Sequence, residues 1–460
     1  MDRLSVVQSH LSRETPPPPP PRPRAVIVTG CRTPFVKAYG DLLDVDALGL
    51  GVAAVGGLLR AAKLDPRHVD HIVWGNVIQQ SNAPNLAKEI ALDLALPSAV
   101  TGHSVSMACA SGLCAVLSAV QMIESGMAET VVAGGSDSMS CAQLPFDRHV
   151  TQALALYGQN RLSTFQFFQK AGWPWSWMPT PPSIAERTTQ KTMGLHCDEM
   201  AEALGATRRE QDDYAMASHR KAAAAAPSQI FEGEVVPVGK VQKDNLLRGT
   251  QDPSKVYALR PVFRDASQGG TVTAANATPL TDGGAAVLVM SEDKAKALGY
   301  PADIGVRACA YTGIQATPTL LLAPALGIHL CLQRAGGLSL ADIDYFEFHE
   351  AFAGQVVATL KCLASEELSA KYLGPGRSAL GVIPHEKVNI YGGSLAYGHP
   401  FAATGGRIVT NAARVLRTKK ARYVLVFYYT PLSRPCVCPC ISVVLFFSAS
   451  PCTTSSRLQN

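Results

Sequence analysis

Two hydrophobic rhythms alternate along this chain. Short apolar runs closed by glycine read as strands, and longer stretches with apolar residues three and four apart read as helices. "RAVIVTGC" predicts a strand over Ala25–Thr29, and Asp44–Leu64 predicts a helix with an acidic start. "HVDHIVWGNVI" predicts a second strand. His103–Ser140 predicts a short strand, a loop carrying Cys109, a helix of small and apolar residues, and a buried strand over Glu129–Gly135. From about Phe146 to Gln268 the rhythm loosens, with polar helical stretches and the aromatic cluster "STFQFFQKAGWPWSWMP". Strand texture returns at Ala285–Met290.

The last third repeats the grammar of the first. Ser339–Leu360 predicts a strand, a loop with His349, and a helix. Val388–Tyr429 predicts a strand, a loop with His399, a helix and a buried strand at Tyr423–Val426. The Cys109 and His399 units therefore read as counterparts in two similar halves of an α/β layered protein. The divisions expected are a Pro-rich arm over 1–24, an N-terminal half over 25–145, an inserted lid over 146–268, a return to the first half over 269–298, a second half over 299–430, and an atypical tail over 431–460.

Composition narrows the class. At 460 residues, 47% hydrophobic and 17% charged, the chain reads as globular with a large interior. A net charge of +5 without a dense Lys/Arg stripe suits an anionic small ligand and not nucleic acid. The 12 cysteines show no paired framework, which implies a reducing compartment. No apolar run is long enough to span a bilayer. The arm "MDRLSVVQSHLSRETPPPPPPRPR" reads either as an organelle transit peptide, hence a mitochondrial or other matrix location, or as a polyproline spacer; a bacterial chain would be cytoplasmic.

Cys109 precedes a helix start, where the positive helix end favours thiolate, and its neighbours Ala108, Ala110, Ser111 and Gly112 leave room for an acyl group. A buried core cysteine is the alternative. Pro400, read as the first helical residue, aims His399 out of its loop. A thiolate, an imidazole base and a second polar histidine fit covalent acyl transfer. Metal binding fits poorly, because these residues lie far apart with no short ligand pair.

"MACASG", "HEAFAG" and "GGSLAYGHPFAATG", together with "RTPF" and "TVTAANATPLTDGGAA", resemble the thiolase family. Within it, about Arg24 to Val426 resembles the subunit of the fatty-acid β-oxidation multienzyme complex that cleaves 3-ketoacyl-CoA. The resemblance implies a five-layered αβαβα fold of two duplicated halves with an inserted loop domain. It implies Cys109 as acyl-accepting nucleophile, His399 as its base and His349 in an oxyanion hole, with Thr278 and Met193 lining the coenzyme A site. Coenzyme A would be a substrate and no cofactor would stay bound. Acyl-CoA and CoA, a homodimer and a hydratase/dehydrogenase subunit are the implied partners. The aromatics Phe165, Phe167, Phe168, Trp173, Trp175 and Trp177 read as an acyl tunnel, a partner or peripheral membrane contact, or lid core.

One departure stands out. The family's last strand leads into a second reactive cysteine and a glycine-rich loop. Here Tyr429 falls at that cysteine, no glycine follows, and Cys436, Cys438 and Cys440 come too late. Residues 427–460 read either as a shifted frame or retained non-coding segment, or as the genuine end of a chain that acylates but turns over poorly and scaffolds a complex. The condensing direction, forming acetoacetyl-CoA, is a further alternative. "ISVVLFFS" (Ile441–Ser448) is β-prone enough to replace the last strand.

Overall fold

The computed structural model describes residues 23–179, 185–186, 188–227, 229–315, 317–430 and 441–448. Residues 1–22 of the arm and the Cys436, Cys438 and Cys440 run lie outside the described residues. The strands are β1 (Ala25–Arg32), β2 (Val36–Lys37), β3 (His71–Gly75), β4 (Thr101–Val105), β5 (Thr130–Asp137), β6 (Thr281–Ser291), β7 (Gly305–Thr312), β8 (Tyr345–Phe348), β9 (Tyr423–Thr430) and β10 (Ile441–Ser448).

The duplication is visible in the pairing. The first half-sheet runs β4-β3-β5-β6-β1, with β6 antiparallel to both its neighbours and β3 parallel to β4 and β5. The second runs β8-β9-β10-β7, with β10 antiparallel to β9 and β7, and β8 parallel to β9. β10 thus holds in the second half the place that β6 holds in the first. The two half-sheets meet where Val26 pairs with Gly305.

Alternation along the strands sorts side chains between layers. In β1, Val26 and Val28 pack outward with Leu58 of the Ala47–Ala62 helix and Ile90 of the Leu86–Asp93 helix, while Ala25 and Ile27 face inward. In β9, Leu425 and Phe427 pack outward with the Ala323–Arg334 and Ala353–Ala364 helices, while Val424, Val426 and Tyr428 face inward. Between the half-sheets lie two helices, Ser111–Glu124 and Phe401–Thr418, giving the αβαβα order. Phe401–Thr418 is buried almost throughout because it has a sheet on both sides.

These two central helices cross at glycines. A Cβ on Gly112 would fall 1.9 Å from the Ala402 carbonyl oxygen, and one on Gly405 would fall 2.2 Å from the Leu113 nitrogen. No side chain fits there, so the backbones touch and both helix N-termini converge.

The inserted segment is tied down at two places. The Arg208–Ala225 helix begins with a Thr207/Glu210 capping box. Buried Arg32 binds Asp244 through two bonds of 2.6 and 2.8 Å and Glu234 through one of 2.7 Å.

Three expectations change. The strand expected from Val388 shrinks to a single parallel bridge between Val388 and Phe346. Asn389 turns left-handed (φ 43°), and its amide replaces the ladder, accepting from Phe348 N at 2.6 Å and donating to Phe348 O at 2.9 Å. Pro400 is the N-cap and not the first helical residue. β9 runs to Thr430, past the expected end at Val426, because β10 pairs with it along its whole length.

Candidate active site

The Cys109 loop is a strained turn held by a serine. Ala108 adopts φ +40°, a conformation costing a non-glycine residue about 1–2 kcal/mol. Ser111 opens the following helix. Its hydroxyl accepts from Met107 N at 2.8 Å and donates to Ala108 O at 2.6 Å, pinning the two residues before Cys109 to the helix start after it. The half-buried Cys109 opens on a cavity of about 420 Å³ shared with His399, Met193, Thr278, Phe263 and Phe352.

The three sequence motifs meet there. Thr278 N and its hydroxyl both bond the Ala351 carbonyl, at 3.0 and 3.2 Å, and Ala353 N bonds Asn276 O at 2.8 Å. Leu280 bridges His399, whose own N–H donates to Thr281 Oγ1 at 3.1 Å. The structure therefore brings Cys109, His399, Thr278 and Met193 to one cavity. His349 is not in its wall. It is fully buried behind, its ring 4.2 Å from that of His399 and its Nδ1 3.1 Å from Ser394 Oγ.

Electrostatics reverse one expectation. Burial pushes the Cys109 thiol up to about 12, and the Asp137 carboxylate adds to the rise. The helix end does not overcome these, so the resting thiol is protonated at neutral pH. His399 is held down to about 3 by burial first and the Arg407 guanidinium second. It is therefore neutral at physiological pH. Its Nδ1 lies 2.7 Å from Thr404 Oγ1, and its buried Nε2 has no partner among the described residues. With Nδ1–H on the threonine oxygen, Nε2 is the ring's proton acceptor. His349 sits well below the usual histidine range, through burial, then His399 and Arg407.

Several residues that organise the site were not singled out by pattern. Asp137, at the end of β5, accepts from Asn76 Nδ2, Val77 N and Ile78 N on one oxygen and Ala402 N on the other, at 2.7–3.0 Å. It ties the Asn76–Ile78 segment to the first turn of the helix that follows His399. The signal was an acid inside the otherwise small and apolar "VVAGGSDSM". Glu350 accepts from Tyr214 (2.9 Å), Ser218 (2.8 Å), Leu395 N (3.2 Å) and the Asn389 amide, joining the His349 loop to the segment leading into His399.

Asp137→Asn is expected to act in two directions. Its new NH₂ would face the Ala402 N–H or another donor, costing about 1–3 kcal/mol. Loss of the negative charge would lower the Cys109 pKa. Iodoacetamide labelling of Cys109 at neutral pH should therefore speed up while the urea midpoint falls.

The chain matches the model of the thiolase N-terminal domain over residues 25–293 and that of the thiolase C-terminal domain over residues 301–428. The chain belongs to the thiolase family. The 3-ketoacyl-CoA thiolase of Shewanella amazonensis is 39% identical over 406 residues, covering 86% of this thiolase and 92% of the relative. That of Aeromonas salmonicida is 39% identical over 403 residues, with the same coverage. Among solved structures, human mitochondrial 3-ketoacyl-CoA thiolase superposes with TM-score 0.76 at 27% identity, covering 93% of this thiolase and 98% of that chain. Bacillus anthracis acetyl-CoA acetyltransferase gives TM-score 0.74 at 28% identity, covering 93% and 99%. The C-terminal match stops at Tyr428, one residue before Tyr429. The Tyr429 side chain lies outside the described residues. No helix among the described residues is long and apolar enough to cross a membrane, and none of their His, Cys, Asp and Glu groups is arranged to hold a metal ion.

Proposed function

We propose that this thiolase cleaves 3-ketoacyl-CoA with coenzyme A, giving acetyl-CoA and a shortened acyl-CoA, as a step of fatty-acid β-oxidation. The observation that carries the reading is the pairing, in one apolar cavity, of the Cys109 thiol with a neutral His399 whose Nε2 is open. His399 takes the Cys109 proton as substrate arrives, and the thiolate attacks the 3-keto carbon. Collapse of the tetrahedral alkoxide breaks the C2–C3 bond and sends its electron pair to the acetyl-CoA carbanion. Protonation of that carbanion leaves a thioester on Cys109, which coenzyme A then resolves. Two helix N-termini converging beside the reacting carbonyl favour the developing oxyanion. Met193 and Thr278 would line the coenzyme A path, and His349 would support the oxyanion through the His399 side of the site.

The test is a thiolysis assay with a long 3-ketoacyl-CoA and CoA. Loss of substrate matched by acetyl-CoA and an acyl-CoA two carbons shorter supports the reading. Acetoacetyl-CoA formed from acetyl-CoA, with no thiolysis, favours the condensing direction.

The inserted segment divides in role. Trp177 packs with Phe167 and Phe168 and donates to Ala171 O at 2.7 Å, so it serves the lid core. Trp173 and Trp175 are 69% and 76% exposed and stacked on each other at 5.6 Å, with Phe165 exposed nearby at 72%. This face would meet the membrane surface or a hydratase/dehydrogenase subunit. Trp173→Ser with Trp175→Ser is expected to weaken co-sedimentation with anionic vesicles or with that subunit while leaving the melting temperature unchanged. Strand β4 lies at the edge of the first half-sheet, where a second copy would pair with it, and sedimentation velocity would reveal the dimer.

A further inference from the structure

One wall of the catalytic cavity is an aromatic ring with little room to retreat. Phe401 is the first residue of the helix that follows His399, and it lines the cavity together with Cys109 and His399. Only 8% of it is exposed. Its side chain closes a small apolar cluster with Ala38 and Met139, against which Val77, Ile78 and Cys109 itself pack. The ring also meets the His399 imidazole edge to face, with centroids 5.2 Å apart and planes at 82°.

The backbone that carries the ring is fixed as well. The Phe401 N–H donates to the His399 carbonyl at 3.0 Å, and the Phe401 carbonyl accepts from the Tyr428 hydroxyl at 3.3 Å. Tyr428 is held in turn by lying flat on the His349 ring, with centroids 4.0 Å and planes 4° apart. The next residue, Ala402, donates its N–H to Asp137 at 2.8 Å. A close-packed interior yields little, so a ring held at both backbone and side chain acts as a wall of fixed position.

That wall stands where the acyl chain must begin. Attack joins Cys109 Sγ to C3 of the 3-ketoacyl group, and the C2–C3 bond then breaks. C3 therefore lies within bonding distance of the sulfur, and C2 and C4 leave it in different directions. C2 leads to the coenzyme A thioester, on the side of Met193 and Thr278. C4 takes the remaining side, where Phe401 packs by the sulfur. A hydrogen on C4 fits against the ring, whereas a methyl there would have to displace it. The constraint falls on C4 because its place is set by the bond to C3; carbons further along the chain are free to turn away.

We propose that Phe401 sets the substrate shape of this centre, admitting straight-chain 3-ketoacyl-CoA and rejecting 3-ketoacyl-CoA branched at C4. The inference rests on the thiolase reading and names the substrate class for the same site.

The test is the rate of Cys109 acylation on the full chain, read by mass spectrometry after rapid quench, with 3-ketodecanoyl-CoA and its 4-methyl derivative. The straight chain is expected to react about 10–200-fold faster, the usual discrimination of an apolar pocket for one extra carbon. Part of that ratio is the branch's own hindrance at C3, which the variants separate from the wall. Phe401→Ala, checked for folding by circular dichroism, removes the wall and should raise the branched-to-straight ratio at least about tenfold. Met139→Ala leaves every residue lining the cavity in place and gives the ring room to move back, so it should raise the ratio by a smaller factor. Equal rates for the two substrates in the wild type overturn the role of Phe401 and leave the thiolase reading standing. So does a ratio that Phe401→Ala leaves unchanged; should that variant not fold, an unchanged ratio in Met139→Ala has the same force. No acyl group on Cys109 from either substrate overturns the thiolase reading itself.

Discussion

His399→Ala is expected to lower acylation of Cys109 by about 10²–10⁴-fold, the usual worth of a positioned general base. The loss should be this large because the surroundings of the resting thiol favour its protonated form on balance. Burial and Asp137 push it up to about 12, so a base must take the proton in the attacking step. His399 is built for this. It is neutral, its Nδ1 is anchored by Thr404, and it sits in the same cavity as Cys109. The pH profile carries the same signature. With the imidazole held down to about 3, acylation should keep its rate well below pH 6, where a histidine with an ordinary pKa would already be protonated and idle. An acid limb near pH 6.5 would mean that substrate binding restores His399 to its usual range. Single-turnover acylation from pH 4 to 9, on wild type and variant, reads both effects. Cys109→Ala removes the acceptor altogether and should leave no acyl-enzyme.

Gly112→Ala is expected to have the largest structural effect. Its new methyl would sit 1.9 Å from the Ala402 carbonyl oxygen, and that oxygen belongs to the first turn of a helix buried on both sides. Neither backbone can give way without opening the layer between the half-sheets. Overpacking of this kind costs about 1–3 kcal/mol, and here the upper end applies because the clash is backbone on side chain. The same displacement moves Cys109 and His399 apart, since each lies just before one of the crossing helices. A misplacement of about 1 Å can cost on the order of 10²-fold in rate. Urea midpoint and kcat measured together should both fall. Gly126→Ala is the comparison: that glycine has open space around it but a φ of +76°, so it should show backbone strain without loss of kcat in the folded fraction.

Much of this arrangement was legible in the sequence. The strand-loop-helix grammar around Cys109 and His399 marked two equivalent units, and the shared strand order bears this out. Short continuous apolar runs located β1 and β5, because each packs on helices along both faces. The strand expected at Val388 failed for a local reason: Asn389 takes a left-handed turn and pairs through its side chain, which no apolar pattern records. Asp137 escaped notice because its work lies in four backbone and side-chain donors from two segments far apart in the chain. The Cys109 thiol was expected low from its helix end alone. Sequence does not show how deeply a sulfur is covered or which carboxylate faces it. The last strand shows the opposite case. "ISVVLFFS" was legible as a strand, and it pairs between β7 and β9, although the loop before it departs from the family pattern. Tyr428 came to light only when β9 was seen to turn that ring onto His349.

The central claim is that Cys109 carries the acyl group. Incubation with a long 3-ketoacyl-CoA in the absence of free coenzyme A, followed by digestion and mass spectrometry, tests it directly. The account requires an acyl adduct, shortened by two carbons from the substrate, on the peptide containing Cys109, removable by added coenzyme A and absent from Cys109→Ala. Acetyl-CoA release with Cys109 unmodified, or an adduct confined to another residue, would contradict it.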